Sequence, residues 1–566
     1  MSLSGALNAA TTALSVDQTA IQVTGNNIAN AADPNYSREV TDTSPGIETQ
    51  LQPGIFVGSG VDLTGISRAV DDALNQRLNA SNSDVSAATT TQAWTSQVQT
   101  TLNALSGSDL SSSLGTFFTG WSNLAADPTN SGLRQVVVQD GQNTATYLNN
   151  LSTSLGQLTT TLNNELPQQV QSVNTLTTDI ASLNVQVNEA QGGAAGTANA
   201  LLDQRDTDLS KLSALVNITT SDQPDGTVNV YVGSQPLVQG QNSRTLTVAG
   251  VADSTGASIP TVVFSDTGGT VPATSGSIGA VDGARAQIAS ASAQIDTIAH
   301  NLISEVNQVH AGGQGTSQVA SVTATNAVDD TTAALNSSAA GLQFNVSNGS
   351  FVLHLQQSSG LSTSTLIPVN ETGSPNDTSL TTLAASLNAV AGVKATIVGG
   401  TLTIAATDPG ATLSFSQDSS GALASLGINT FFTGSNAGDI SVNSTVANNP
   451  GLLAAAANGE AGDNSNALAI SKLETAPAAG LGGISLDDAY NNLVNQVGNS
   501  VATATANVTS ASAVQTTLTG QQQSLGGVSV DEETVNLIQQ QNAYQAAARV
   551  VQTVYNMVQS LLGITI

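Results

Sequence analysis

The chain has 566 residues, no cysteine, and 11 Lys plus Arg against 40 Asp plus Glu, for a net charge of −29. The missing cysteine excludes disulfides, thiolate metal sites and cysteine nucleophiles, and the acidic balance opposes nucleic acid and anionic lipid as partners. Charged residues are nevertheless only 9% of the total, so Ser, Thr, Asn and Gln do most of the solvating, and the length suffices for roughly two to four domains with real cores.

The first ten residues, MSLSGALNAA, lack the basic start and continuous apolar stretch of a cleavable signal peptide, and no run of 18 apolar residues occurs. This predicts a chain without membrane insertion, either cytoplasmic or exported with its N-terminus uncut. From Leu3 onward, Leu3, Leu7, Ala10, Leu14, Asp17, Ile21, Thr24 and Ile28 alternate spacings of four and three, a heptad seam with two polar members. Ala6, Ala13 and Ala20 flank it every seven residues, which lets a neighbouring helix approach closely. The helix is expected to stop before Asp33-Pro34, because a residue preceding proline avoids the α region.

Residues 1–68 are therefore assigned to a terminal helix followed by a loop. Helical character runs from Ala69 to about Ser106 and again from Thr144 to about Leu215, so 69–216 is read as the N-terminal part of a helical bundle. At Asn217 the period changes to two. Asp225-Gly226 followed by alternating apolar residues marks a hairpin in a β-rich segment, 217–284. Arg285 to His310 returns to helix within a 285–313 segment. A second β-rich portion, with Asn348-Gly349 and Gly399-Gly400 as hairpin signals and Gly, Ser and Thr in its flanks, reads as an inserted surface domain, 314–435. Helix resumes over 436–525. The last segment, 526–566, carries a possible Ser529 cap, Asp531, Glu532 and Glu533 in its first turn, and a second seam of Tyr544, Ala548, Val551, Tyr555, Val558 and Leu562. The fold class expected is α+β multidomain: terminal helices of coiled-coil or bundle type, with β-rich domains inserted between. Neither terminal helix has a short-loop helical neighbour, so each is expected to need a distant partner, most economically the other.

No sequence pattern announces chemistry. H-E-x-x-H, G-x-S-x-G, Walker A, dinucleotide and EF-hand signatures are absent. His300 and His310 lie about 15 Å apart along one helix and roughly 80° out of register, too far to share a metal ion. Adjacent acidic pairs such as Asp71-Asp72 and Asp487-Asp488 point apart on a helix, whereas catalytic carboxyls converge. The chain is therefore expected to have no catalytic, cofactor or metal residues and not to be an enzyme.

Two terminal motifs are informative. ALSVDQTAIQVTGNNIANAADPNYSRE resembles the N-terminal motif of the flagellar rod, hook and hook-associated axial proteins, through Asn26, Asn27, Ile28, Ala29, Asn30, Pro34, Tyr36, Ser37 and Arg38. Asp33 stands where that family usually has threonine and Asn35 where it has glycine, and asparagine tolerates positive φ better than other substituted residues. At the other end, Val528, Ser529, Asp531, Glu532, Glu533, Gln540, Tyr544, Gln545, Ala546, Ala548, Arg549, Leu561, Leu562 and Gly563 match the C-terminal motif of the same proteins. Inside, Ala198–Gly240, the segment from Ile295 to Gly313 and Asn466–Leu473 are similar to the hook-associated protein 1 branch of that family.

The resemblance implies a non-catalytic subunit of the hook–filament junction of the extracellular flagellum, secreted without a cleaved signal. Implied partners are further copies of itself, the hook protein, the second hook-associated junction protein, an export chaperone and the flagellar type III export apparatus. It also implies an antiparallel pairing of the ends, with Leu7, Leu14 and Ile21 facing Val551, Val558 and Leu562 or neighbouring subunits. Asp17 and Thr24 would fix register within the seam. Another axial protein, an adhesin built on the insertion, and a displayed hydrolase are the competing readings.

Overall fold

A computed structural model describes residues 3–102, 109–192, 198–252, 256–374, 376–460 and 462–564. In chain order, helix α1 (Leu3–Asn30) precedes strands β1 (Glu39–Pro45), β2 (Thr49–Gln52), β3 (Ile55–Val57) and β4 (Val61–Arg68). Helices α2 (Asp72–Leu102), α3 (Leu110–Ala126), α4 (Ser131–Gln191) and α5 (Asn199–Leu215) come next. Strands β5 (Thr219–Asp222), β6 (Val228–Val232), β7 (Gln235–Gln239), β8 (Asn242–Ser243), β9 (Leu246–Ala252) and β10 (Ser258–Phe264) lead into α6 (Gly276–Ala311). The insertion carries β11 (Ser321–Thr323), β12 (Gly349–Gln356), β13 (Ser362–Val369), α7 (Leu380–Asn388), β14 (Val393–Val398), β15 (Thr401–Ala406), β16 (Thr412–Ser416) and α8 (Ala422–Leu426). After β17 (Phe432–Thr433) and β18 (Ser441–Val442) follow α9 (Ser444–Asn448), α10 (Ser465–Ser471), α11 (Leu486–Gly526) and α12 (Val530–Ile564). The fold is α+β and multidomain.

The chain divides into two compact units. One comprises Met1–Ala93, Thr161–Ala284 and Thr503–Ile566; the other comprises Trp94–Thr160 and Arg285–Ala502. In the first, β5 to β8 form an antiparallel meander, and β6 buries Val228, Val230 and Val232 on one face, as its alternation predicts. The Asp225-Gly226 turn joins β5 to β6, with Gly226 at φ +79°. Asn184, fully buried on α4, ties this sheet to the helices: its amide donates to the carbonyls of Val228 and Gly240 and accepts from the Val228 N–H.

The expected loop after α1 is instead an arm of two antiparallel ribbons. β1 pairs with β4 from Glu39 opposite Arg68, and β2 pairs with β3 around a Pro53-Gly54 turn with Gly54 at φ +85°. Polar residues at both faces of these strands hide the period-two signal that would have announced them. α6 begins at Gly276, nine residues before the predicted Arg285, and the run predicted to reach Ser106 passes beyond the described residues after Leu102.

The second unit holds the insertion, whose strands share a core of its own. The sheet β13-β12-β16 and the sheet β11-β15-β14 bury Phe351, Leu353, Leu402, Ile404, Leu413 and Phe415. Gly399 and Gly400, both at positive φ, turn β14 into β15 as predicted. Asn348-Gly349 is not a hairpin turn. The segment just before β12, residues 344–348, is not a strand: Phe344 and Val346 are buried and Ser347 bonds back to the Ser420 carbonyl. Glycine is needed at 349 for a different reason: a Cβ there would sit 2.8 Å from the Ser420 nitrogen.

All three histidines have structural partners. His310 is fully buried beside Trp121 and Phe431; its Nδ1 lies 2.7 Å from the Asn429 carbonyl, and its Nε2 accepts from the Ala454 N–H at 3.1 Å. Those two partners require the neutral Nδ1–H tautomer, and burial depresses its pKa to about 4. His300 stacks on Phe344, and His354 bridges Ser364 and Ser416 across neighbouring strands.

Candidate assembly interface

α1 and α12 lie antiparallel along one another: the C-terminal end of α1 meets the first turn of α12 through Asn27 and Glu533. On α1 the buried residues are Ala10, Ala20, Val23, Thr24 and Asn27; on α12 they are Glu533 and Val554. Ala10 and Thr24 are members of the seam read in the sequence, whereas Ala20, Val23 and Asn27 each stand one position before its members Ile21, Thr24 and Ile28. Ala10 and Ala20 bring small side chains to this contact.

The expected residues divide between covered and exposed positions. Leu7 is 38% exposed, Tyr544 and Val558 are each 39%, Tyr555 is 57% and Leu562 is 65% exposed, while Leu14, Ile21, Ala548 and Val551 are partly covered. α12 also exposes Val530, Val535, Ile538, Val550, Met557 and Leu561. A helix that is apolar on more faces than it covers belongs to a larger packing arrangement.

α1 ends in a hydrogen-bonded knot built from the Asn-rich motif. Asn27 is 1% exposed and uses all of its amide. Its Nδ2 donates to the Glu39 carbonyl at 2.9 Å and to Glu533 Oε2 at 3.1 Å. Its Oδ1 accepts from the Tyr36 hydroxyl at 2.8 Å and the Glu39 N–H at 2.9 Å. The backbone donor fixes which end of the amide is oxygen.

Around this centre Asn26 donates to Tyr36 Oη and Glu39 Oε2, and Asn30 folds back on the Asn26 carbonyl and side chain. Ile28 is half-buried. Burial and the neighbouring carboxylate of Glu39 push the Tyr36 phenol above its ordinary pKa, so it serves as a neutral donor. Asn35 does not take positive φ; the Asp33 carboxylate accepts its N–H at 2.9 Å and closes the turn instead.

The knot is braced from both sides. Arg38 donates its backbone N–H to the Gly526 carbonyl and accepts from the Ala69 N–H, so three chain segments cross there. Gly526 is required by this crossing, since a Cβ would lie 2.5 Å from the Ala69 oxygen. From α5, Asn199 donates to Glu39 Oε1, while Asp203 accepts from the Ser37 N–H. Asp203 and Asp206 together hold Arg68 at 2.7 and 2.8 Å. Burial raises the pKa of Asp206, and the Arg68 guanidinium opposes that shift. In the sequence Asp203 and Asp206 fall within the Ala198–Gly240 segment and Glu533 reads as a first-turn carboxylate, and neither pattern announces the knot. An acidic residue whose side chain points into a helix seam has no local pattern; its partner stands 506 positions away.

Residues 95–323 match the family model described as "Flagellar hook-associated protein FlgK helical domain", and residues 522–564 match "Flagellar basal body rod FlgEFG protein C-terminal". The chain is 30% identical over 266 residues to flagellar hook-associated protein 1 of Salmonella typhimurium, covering 47% of each. It is 33% identical over 227 residues to the protein of that name from Bacillus subtilis, covering 39% of this chain and 44% of the relative. The longer match and these relatives are alike in being hook-associated proteins of the flagellum, which is what this chain is similar to. The chain spans about half the length of the curated relatives it matches. Its fold is shared with a solved structure titled as the flagellar hook junction protein FlgK from Burkholderia pseudomallei, at a TM-score of 0.50 and 19% identity, covering 80% of this chain and 100% of that one. The C-terminal match takes in α12 and the Gly526 crossing.

Proposed function

We propose that this chain is a structural subunit of the bacterial flagellum at the hook–filament junction, joined to further copies of itself through α1 and α12. The observation that carries the reading is the exposed apolar surface of α12, where Val535, Ile538, Val550, Tyr555, Met557 and Leu561 are between 45% and 57% exposed although the helix already packs on α1. Covering it by neighbouring copies removes apolar surface from water, the usual driving force for such assembly. The knot at Asn27 supports the reading by holding the two ends in one register as a unit that can be added to a tube.

On this reading the protein is non-enzymatic, is exported without cleavage through the type III apparatus with a chaperone, and meets the hook protein on one side and the second junction protein on the other. Among the described residues no helix is long and apolar enough to cross a membrane. Gold-tagged antibody on intact flagella is expected to mark a short zone between hook and filament. Label along the hook or along the filament would indicate another axial role, and label off the flagellum would overturn the proposal. Leu14→Asp and Val551→Asp are each expected to abolish incorporation.

A further inference from the structure

The terminal helices are almost free of charge, and the exceptions are complementary. Within Leu3–Asn30 the single ionisable side chain is Asp17. In α12, beyond the three carboxylates of its first turn, the single ionisable charged side chain is Arg549. Among the described residues neither group has an ion pair or a side-chain hydrogen bond within the chain, although five other ion pairs are formed. Their separation is built into the register: Arg549 follows Glu533 by sixteen residues and so comes level with Thr11, sixteen residues before Asn27. Asp17 lies six residues further along α1, about 9 Å at 1.5 Å per residue.

We propose that Asp17 of one copy pairs with Arg549 of a neighbouring copy, and that this single ion pair sets the register of the contact between terminal helix pairs. The proposal rests on the self-assembly reading above and names its electrostatic determinant. Arg549 is exposed in a helix whose remaining exposed residues are largely apolar or uncharged. Its neighbours one turn away are Gln545, Ala546, Gln552 and Thr553, so a copy that packs along this face takes the guanidinium out of water and leaves it in need of a counter-charge. Asp17 is half-covered in the seam and already carries a raised pKa from desolvation, so it gains from a cation. The competing carboxylates are less suited. Glu533 is engaged by Asn27, and Asp531 and Glu532 sit in the polar first turn, far along the axis from Arg549. One charge pair in an otherwise uncharged contact discriminates register, because every displaced alignment leaves both ions unpaired.

The test uses full-length chain and charge reversal. Sedimentation of purified protein gives the concentration at which wild-type copies assemble. Asp17→Arg and Arg549→Asp are each expected to raise that concentration at least tenfold, and an equimolar mixture of the two variants is expected to restore it to within about threefold, since alternating copies re-form an opposite-charge pair at every contact, native and reversed in turn. Rescue by mixing requires a contact between copies. The cysteine-free sequence supplies a second readout: Asp17→Cys copies mixed with Arg549→Cys copies should give a heterodimer with a short bis-maleimide. Assembly that is unaffected by either reversal, or a mixture as defective as its components and no 17–549 cross-link, would overturn the pairing and leave self-assembly standing. Wild-type protein that never assembles, alone or on hook fragments, would overturn both.

Discussion

Replacing Asn27 by alanine strikes the point where α1, the turn and α12 are held together. The change orphans four groups at once: the Tyr36 hydroxyl, the Glu39 N–H, the Glu39 carbonyl and one oxygen of Glu533. A buried polar group left without its partner costs about 1–3 kcal/mol, and more when charged. Tyr36 and Glu39 are only half-buried and recover part of this from water, whereas Glu533 is 3% exposed and does not. The expected loss is therefore about 3–5 kcal/mol, concentrated in the free energy of opening α1 from α12. Asn27→Asp should be worse at neutral pH, since it removes both Nδ2 donors and places a carboxylate next to Glu533, where like charges repel. Native-state hydrogen exchange reads this directly: protection of α1 and α12 amides should fall by about two to four orders of magnitude, at about 1.4 kcal/mol per tenfold, while β12 amides in the other unit serve as an internal reference. Less than a tenfold change in Asn27→Ala, or a variant Asn27→Asp as protected as the wild type, would refute the account of the knot.

Two further outcomes follow from sites elsewhere. His310 has a folded pKa of about 4 against 6.5 unfolded, so between those values the unfolded chain binds the extra proton. Its contribution to stability is complete above pH 6.5 and is lost as pH falls toward 4, a change of about 3 kcal/mol; urea titrations at pH 7 and pH 4.5 should show a smaller difference for His310→Gln than for the wild type, and equal differences would contradict the assignment. Gly400→Ala should destabilise the insertion by more than about 2 kcal/mol, because it combines a φ of +77° with a Cβ placed 2.3 Å from the Val328 carbonyl. Gly399→Asn, at φ +57° in open space, should stay within about 0.5 kcal/mol, and thermal unfolding of both variants checks the contrast.

The sequence by itself determined what depends on neighbours a few residues apart. Periodicity announced both terminal helices. Asp33-Pro34 ended the first, the Asp-Gly and Gly-Gly pairs marked real turns, and the acidic first turn of α12 needed only the helix dipole to be read. The end motifs were enough to suggest the family. Asn348-Gly349 shows the limit of such reasoning: the same dipeptide that turns a hairpin elsewhere serves here to admit the Ser419–Ser420 backbone, and nothing within a few residues of it says so.

Only the tertiary structure decided which face of each terminal helix is inside. Leucine and alanine seams one residue apart are both valid heptads on α1, and local pattern favours the larger side chains. The fold buries members of both lines, Ala10 and Thr24 from the first and Ala20 from the second, and Asn27 beside them reaches Glu533. The knot itself was equally hidden. Its members come from α1, the turn, β1, β4, α5 and α12, and the hydrogen bonds that make Asn27 indispensable exist only once segments separated by hundreds of residues have been brought to one place.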